Sequence, residues 1–145
     1  MVKTYTLNSK KMIVKDVMLP LDRFPVISKT IILKEALDEM NKLRLGIACI
    51  VDDNNKLLGI LTDGDIRRKL IKVQKPLSSF FIDDALIHAI QSPVTSSPED
   101  TLDQAIEVME NKKIWDLPVV DQQGILVGML HLHPVVEALL KERNK

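Results

Sequence analysis

The sequence is poor in cysteine and in aromatic residues. Cys49 is the single cysteine of the 145 residues and aromatic side chains make up 3% of them. One cysteine cannot close an internal disulfide, which excludes a disulfide-stapled secreted scaffold and predicts a reducing, cytoplasmic setting. Cys49 itself sits in an apolar segment, which favours a small buried hydrophobe over a nucleophile. The shortage of aromatics argues against a stacking platform for single-stranded nucleic acid.

An excess of charge and a long apolar run are also lacking. Twenty basic residues balance twenty acidic ones, so the chain has no basic footprint for nucleic acid and none for an anionic membrane. No run approaches the roughly 18 apolar residues of a membrane span. The segment Met1 to Lys11 is polar and does not resemble a signal peptide. These absences predict a cytoplasmic protein without nucleic-acid or membrane partners.

An internal repeat is present instead. Segment 36–40 aligns with segment 105–109 at an offset of 105 − 36 = 69 residues. The same offset aligns three further stretches, namely 50–52 with 119–121, 59–61 with 128–130, and 66 with 135. Upstream, Pro25-Val26 matches Pro93-Val94 at 93 − 25 = 68, which predicts that the first copy is one residue shorter before its helix. A repeat of this size is typical of a duplicated half-domain.

The periodicity of each copy predicts strand, helix, strand, strand, helix. Apolar residues at helical spacing precede two short apolar runs, which are joined by polar turns and followed by a second helical pattern. The predicted fold class is α/β (α+β), with two β-α-β-β-α repeats that pack their apolar sheet faces together with pseudo-twofold symmetry. The predicted boundaries are 12–75 and 84–142, with a linker near Lys72 to Asp83 and short helices at Lys10 to Met18 and Asp84 to Ile90.

The segment Gly59 to Asp65 resembles the glycine–apolar–apolar–threonine–x–x–aspartate signature of cystathionine-β-synthase (CBS) domains. Leu117 to Asp121 resembles the strand that precedes it. Two copies in tandem resemble a CBS pair, or Bateman module, over about residues 12 to 142. Thr62 to Arg68 and Leu130 to His133 are similar to the C-terminal CBS pair of arabinose-5-phosphate isomerases, and CBS pairs attached to sugar nucleotidyltransferases share the first block. Because the two repeats occupy nearly the whole chain, we expect that it lacks the catalytic isomerase domain and has no enzymatic activity.

Thr62 to Asp65 lie where a strand ends and a helix begins, and the unpaired amides of a helix start suit a phosphate. Gly64 permits close approach of a ligand to the backbone. The resemblance implies that Thr62 contacts the phosphate and Asp65 the ribose hydroxyls of a nucleotide. It places the base near the starts of two strands, at Ile27, Ser28 and Ala48. The alternative is that Thr62 or Asp63 merely caps the helix, and the charge of Asp63 opposes an anion.

The second copy departs from this signature. His131, Leu132, His133 and Pro134 replace Thr62, Asp63, Gly64 and Asp65, respectively. Pro134 has no carboxylate, so ribose capture of the first kind cannot occur there, and this site is either empty or holds a different ligand through His131 or His133. If both histidines lie on one strand they share a face. A metal site would need further ligands in a suitable pattern, and none is predicted.

These features predict a regulatory, allosteric module. The expected ligand is an adenine nucleotide such as AMP or ATP, or a nucleotide sugar such as a CMP-sugar, bound for a sugar-phosphate isomerase or a related enzyme. No other cofactor is expected. The alternative is a ligand-free dimerisation module, in which apolar helix residues such as Val135, Val136 and Leu139 pack between chains of a homodimer.

Overall fold

The computed structural model describes residues 12–143. The polar segment Met1 to Lys11 lies outside the described residues. It includes the first two residues of the helix predicted at Lys10 to Met18. In chain order the helices and strands are α1 (Val14–Val17), β1 (Val26–Ser28), α2 (Leu33–Leu43), β2 (Ile47–Val51), β3 (Leu57–Thr62), α3 (Asp63–Lys72), α4 (Leu77–Phe81), α5 (Leu102–Lys112), β4 (Asp116–Val120), β5 (Leu126–His131) and α6 (Leu132–Arg143). Two 3-10 helices lie at Leu21–Arg23 and Ala85–His88. This mixed content confirms the α+β class.

The chain forms two compact units. The central unit is Leu21–Pro93 and the terminal unit comprises residues 12–20 and 94–143. In the central unit β2 lies between β1, to which it is parallel, and β3, to which it is antiparallel. In the terminal unit β4 and β5 form an antiparallel pair. Each antiparallel pair is closed by a short polar turn, as the repeat predicted.

Each unit has its own hydrophobic core. The helices bury one stripe against the sheet because their apolar residues recur at three- and four-residue spacing. In the central unit the core includes Leu33, Ala36 and Met40 from α2, with Ile50 and Leu61 from the sheet. The residues at the same offset build the core of the terminal unit, namely Leu102, Ala105, Met109, Val119 and Leu130.

The first strand of the second copy is reduced to a single bridge. Ser96 pairs in parallel with Val119. Ser96 N donates to Pro118 O, and Ser96 O accepts from Val120 N. The prediction of a full strand here was wrong. Pro98 has no amide to donate, and the Ser96 hydroxyl bonds the Asp100 carboxylate at 3.0 Å, so the backbone turns rather than extends.

The bridge also corrects the repeat alignment upstream. Ile27 pairs with Ile50 and Ser96 pairs with Val119, so the offset is 96 − 27 = 69 on one side and 119 − 50 = 69 on the other. The proline–valine match at an offset of 68 therefore does not mark equivalent positions. The first copy is not shortened before its helix.

The segment before each repeat belongs to the other repeat's unit. In α1, Val14 N donates to Asp100 O, and Leu19 forms a bridge with Met129 of the second copy. Ala85 N donates to Ile31 O of the first copy. The predicted linker also contains α4, because Phe80 is 1% exposed and anchors that helix in the core of the central unit.

Between residues 12 and 143, no helix combines the length and the apolar character needed to cross a bilayer.

Candidate functional site

The junction between β3 and α3 brings Thr62 and Asp65 together. Thr62 is the N-cap of α3, and its hydroxyl oxygen accepts a hydrogen bond from Asp65 N at 3.2 Å. The same hydroxyl donates to Asp65 Oδ2 at 2.7 Å. Arg68, one turn further along α3, donates to Asp65 Oδ1 at 2.8 Å. The capping alternative is therefore realised, and it leaves the Asp65 carboxylate aligned at the helix start.

Asp63 and Gly64 flank this pair differently. Asp63 N donates to Gly46 O at 3.0 Å, which holds the start of α3 against the residue that precedes β2. The Asp63 side chain is exposed and lines a groove with α2, away from the cleft that Asp65 lines. A Cβ on Gly64 would lie 3.1 Å from an Arg68 guanidinium nitrogen. The glycine therefore leaves room for the Arg68 side chain over the first turn.

The three residues predicted to contact a base are placed unequally. Ile27 is 3% exposed and Ala48 is fully buried, and both pack in the core of the central unit. Ser28 is exposed at the end of β1, and its hydroxyl lies 3.0 Å from the Thr30 hydroxyl. Only Ser28 of this group presents a side chain at the surface.

The equivalent junction in the terminal unit has a different polar pair. His131 ends β5, and its Nδ1 lies 2.5 Å from Asp116 Oδ1 on β4. Burial raises the pKa of Asp116 above its ordinary 3.8, while the hydrogen bond with His131 and its charge oppose that rise. A histidine–carboxylate pair therefore occupies the position of the Thr62 hydroxyl.

His133 is separated from His131 by the end of the strand. It lies in α6, is exposed, and approaches Glu137 at 4.0 Å. The argument that both histidines share a strand face is therefore wrong. Across the described residues 12–143, no group of three or more histidine, cysteine, aspartate or glutamate side chains is placed to hold a metal ion.

Two grooves at equivalent positions differ in polarity. In the central unit, a groove beside α2 and the start of α3 is lined by Arg44, Gly46 and Asp63, among others. At the 69-residue offset the terminal unit presents Lys113, Trp115 and Leu132. That groove is apolar, and Trp115 is 70% exposed in it. The two copies thus present a polar groove in one unit and an apolar surface in the other, hereafter the apolar groove.

Three polar residues near these junctions were not predicted from the sequence. Arg68 carried a signal, since a basic residue three positions after Asp65 on a helix can reach its carboxylate. Asp116 carried none, because its contact with His131 spans 15 residues. His88 carried none either, because its 6% exposure and its contact with Asp83 follow from packing.

Comparison with known proteins places this geometry in a family. A relative from Helicobacter pylori strain J99, described as an uncharacterized protein, is 38% identical over 130 residues, which cover 88% of this chain and 37% of that protein. Arabinose 5-phosphate isomerase KdsD of Escherichia coli K12 is 31% identical over 125 residues, with 86% and 37% coverage. The chain thus spans about a third of the length of these relatives.

The crystal structure of CBSX2 from Arabidopsis thaliana in complex with AMP has the same fold. It superposes with a TM-score of 0.80 at 26% sequence identity and covers 91% of this chain and 98% of CBSX2. The model of the CBS domain matches residues 14–72 and again residues 85–141. The chain therefore belongs to the CBS-domain family and carries two CBS domains in tandem.

Proposed function

We propose that the chain is a regulatory module that binds an adenine nucleotide or a nucleotide sugar in its first CBS repeat. The observation that carries the proposal is the Thr62–Asp65 pair, which sets a hydroxyl and a carboxylate side by side at the start of α3. CBSX2, which resembles this chain over nearly its whole length, binds AMP. We propose repeat boundaries of 12–75 and 84–142.

The Asp65 carboxylate has capacity left for a ribose. An ionised carboxylate offers about four lone-pair sites for donors. Thr62 and Arg68 each supply one side-chain donor to it. Two adjacent ribose hydroxyls can fill the remaining sites without displacing either protein donor. The Asp65 side chain is 18% exposed, which leaves it accessible to such a ligand.

The first turn of α3 supports a phosphate contact. Asp63 N donates to Gly46 O and Asp65 N donates to the Thr62 hydroxyl. Gly64 N, between them, is one of the helix-start amides that have no intrahelical acceptor. A phosphate oxygen would approach this amide beside the Arg68 guanidinium, which could donate to it as well. The base would then lie over Ser28 and the backbone of β1 and β2 at Ile27 and Ala48.

The second repeat would bind differently. Pro134 cannot hold a ribose, and the His131–Asp116 pair would offer an imidazole to an anionic group in place of the Thr62 hydroxyl. His133, exposed on α6, would be a peripheral contact. We propose no metal and no catalytic group in either repeat.

The regulated activity would be that of a sugar-phosphate isomerase or a related enzyme, because the chain is similar to about a third of KdsD. Ligand occupancy would bias the catalytic domain through a coupling free energy, which is typically about 1–3 kcal/mol. The whole protein would act in the cytoplasm.

Calorimetric titration of AMP, ATP and a CMP-activated sugar tests the proposal. Binding of one of them should weaken by at least roughly tenfold in Asp65→Asn, since a charge-assisted hydrogen bond is worth about 1.5–3 kcal/mol. Asp53→Asn, which changes an exposed carboxylate in the β2–β3 turn, is the matched control. Absence of heat with all three ligands, or equal binding by Asp65→Asn, would contradict the proposal.

A second candidate, homodimeric assembly without a ligand, is favoured by the apolar groove. Val135 and Leu139 line it, and Trp115 and Val136 leave apolar surface exposed there. Such a surface is typical of a protein interface. Trp115→Gly, Leu132→Asp and Val136→Arg together restore the residues that the first copy has at these positions. This variant should sediment as a monomer if the groove holds a dimer together. A native chain that is monomeric at micromolar concentration would contradict assembly.

A further inference from the structure

A basic stripe runs along α3 away from Asp65. Positions 65, 68, 69 and 72 lie on one helical face, because their spacing is i, i+3, i+4 and i+7. They carry Asp65, Arg68, Lys69 and Lys72, which line one wall of a cleft of about 210 Å³ within the central unit. The stripe extends about 10 Å along the helix axis. His88, Ala89 and Ile90 form the opposite wall.

The charges of this cleft are not balanced by the protein. Asp65 is the carboxylate among its lining residues, and Arg68 pairs with it at 2.8 Å. Within the described residues 12–143, neither Lys69 nor Lys72 forms an ion pair. Lys72 follows Arg68 by four residues and Lys69 by three, and like charges at these spacings on a helix repel each other. An anion between the two ammonium groups would relieve that repulsion.

His88, on the opposite wall of the cleft, adds a polar side chain to it. Its ring packs against Phe80 with centroids 4.5 Å apart, and Nε2 lies 2.8 Å from Asp83 Oδ2. The hydrogen bond from Lys75, and next that from His88, lower the pKa of Asp83, so its carboxylate is ionised and accepts from Nε2. The residue is 6% exposed, and its Nδ1 is buried without a hydrogen-bond partner in the described part of the chain.

An orphaned buried nitrogen is unfavourable, so such atoms usually have a ligand or a water as partner. Nδ1 accepts from a hydroxyl or amine when the ring is neutral and donates to a phosphate oxygen when it is protonated. The cleft therefore combines two ammonium groups that have no ion-pair partner among the described residues with a ring nitrogen that donates to a phosphate oxygen when His88 is protonated. It begins at the carboxylate proposed to hold the ribose.

From this arrangement we infer that the cleft binds the second and third phosphates of a nucleotide, so that the first repeat prefers a nucleoside di- or triphosphate to the monophosphate. Lys69 and Lys72 hold the additional phosphates, and the protonated His88 ring donates to one of them through Nδ1. The inference rests on the proposed ribose contact at Asp65. It assigns the ligand class that this site selects.

Titrations of AMP, ADP and ATP at one ionic strength and without added divalent metal test the inference. ATP should bind at least roughly tenfold more tightly than AMP, because its additional phosphates gain charge-assisted contacts that AMP cannot make. In Lys69→Ala/Lys72→Ala the gap between ATP and AMP should close while AMP affinity stays unchanged. Arg67→Ala, an exposed α3 residue outside the lining of the cleft, is the matched control and should keep the gap.

The outcomes separate this inference from the proposed function. Equal affinity for AMP and ATP, or a gap that survives in the double lysine variant, overturns the inference and leaves nucleotide binding intact. Failure of every nucleotide to bind overturns both.

Histidine ring signals in a nitrogen-15 spectrum provide a second readout on the native chain, which has three histidines. Saturating ATP should shift the ring signals of His88 more than AMP does. An unchanged His88 signal with ATP bound would overturn the assignment of the phosphates to this cleft.

Discussion

His131 and Asp116 are cross-strand neighbours joined by a hydrogen bond, whereas the equivalent neighbours in the first copy, Thr62 and Ile47, form no polar pair. In the first copy the Thr62 hydroxyl turns along the chain to Asp65. Proline at position 134 removes that carboxylate, and the second copy instead supplies one from β4. The same structural position thus carries a local cap in one repeat and a long-range pair in the other.

We expect the Asp116–His131 pair to give stability a distinctive pH dependence. The pKa of Asp116 is higher in the folded chain than its ordinary 3.8, so the native state holds the proton to higher pH than the unfolded state does. This contribution is therefore fully present below pH 3.8 and is lost as pH rises through the raised pKa. Asp116→Asn lacks it.

Urea unfolding of both proteins across the acidic range measures this effect. The free energy of unfolding of the native chain minus that of Asp116→Asn should fall as pH rises and then level off. Asp53→Asn provides the comparison at an exposed carboxylate. A difference that rises with pH would mean that the contact with His131 outweighs burial.

Thr62→Ala should lower the free energy of unfolding by about 1 kcal/mol, because α3 loses its N-cap. Thr62→Ser should restore most of that loss, since it keeps the hydroxyl that bonds Asp65. Thr101→Ala, which removes the cap of α5, should destabilise the chain to a similar extent. Urea unfolding measures all three, and nucleotide titration should separate Thr62→Ala, which weakens binding, from Thr101→Ala, which does not.

Gly59→Ala and Gly128→Ala should each destabilise the chain by about 1–3 kcal/mol, as overpacked sites do. A Cβ on Gly59 would lie 2.8 Å from the backbone oxygen of Ile90, and one on Gly128 would lie 2.5 Å from Met18 Sδ and 3.0 Å from Leu19 O. Gly46→Ala is the control, because its Cβ would meet the exposed Asp63 carboxylate, which can move aside. Equal stability of all three variants in thermal unfolding would contradict this interpretation.

Arg44→Gly and Lys113→Gly should stabilise the chain by up to about 1 kcal/mol each. Both residues end a helix in the left-handed region, at φ 54° and 55°, where a side chain is strained and glycine is not. Lys112→Gly, one position inside α5, should instead be destabilising by roughly 0.5–1 kcal/mol. Chemical denaturation checks the signs, and stabilisation by Lys112→Gly would argue against the explanation.

Much of the first repeat could be predicted from the sequence, because its signals are local. The spacing of Ala36, Leu37 and Met40 predicted α2, and Thr62 with Asp65 predicted the start of α3. The second repeat was less predictable at Ser96, where hydrogen bonding to Asp100 competes with strand formation. The helix α4 within the predicted linker was not anticipated, because burial of Phe80, rather than helix propensity, orders it.

The candidate site was predictable only where its residues are close in sequence. Thr62, Asp65 and Arg68 lie within two turns of the chain, so their pairing follows from helix geometry. His88 and the basic stripe of α3 lie on different segments, and no pattern in the sequence indicates that they line one cleft.

The sequence by itself determined the duplication, the order of helices and strands and the cap at Thr62, because periodicity and capping depend on residues a few positions apart. The tertiary structure alone decided three other features. These features are the unit to which the segment before each repeat belongs, the pairing of His131 with Asp116, and the buried His88 nitrogen without a partner among the described residues. Each depends on burial and on contacts between segments that are distant in the chain, and such contacts form only when the hydrophobic core packs.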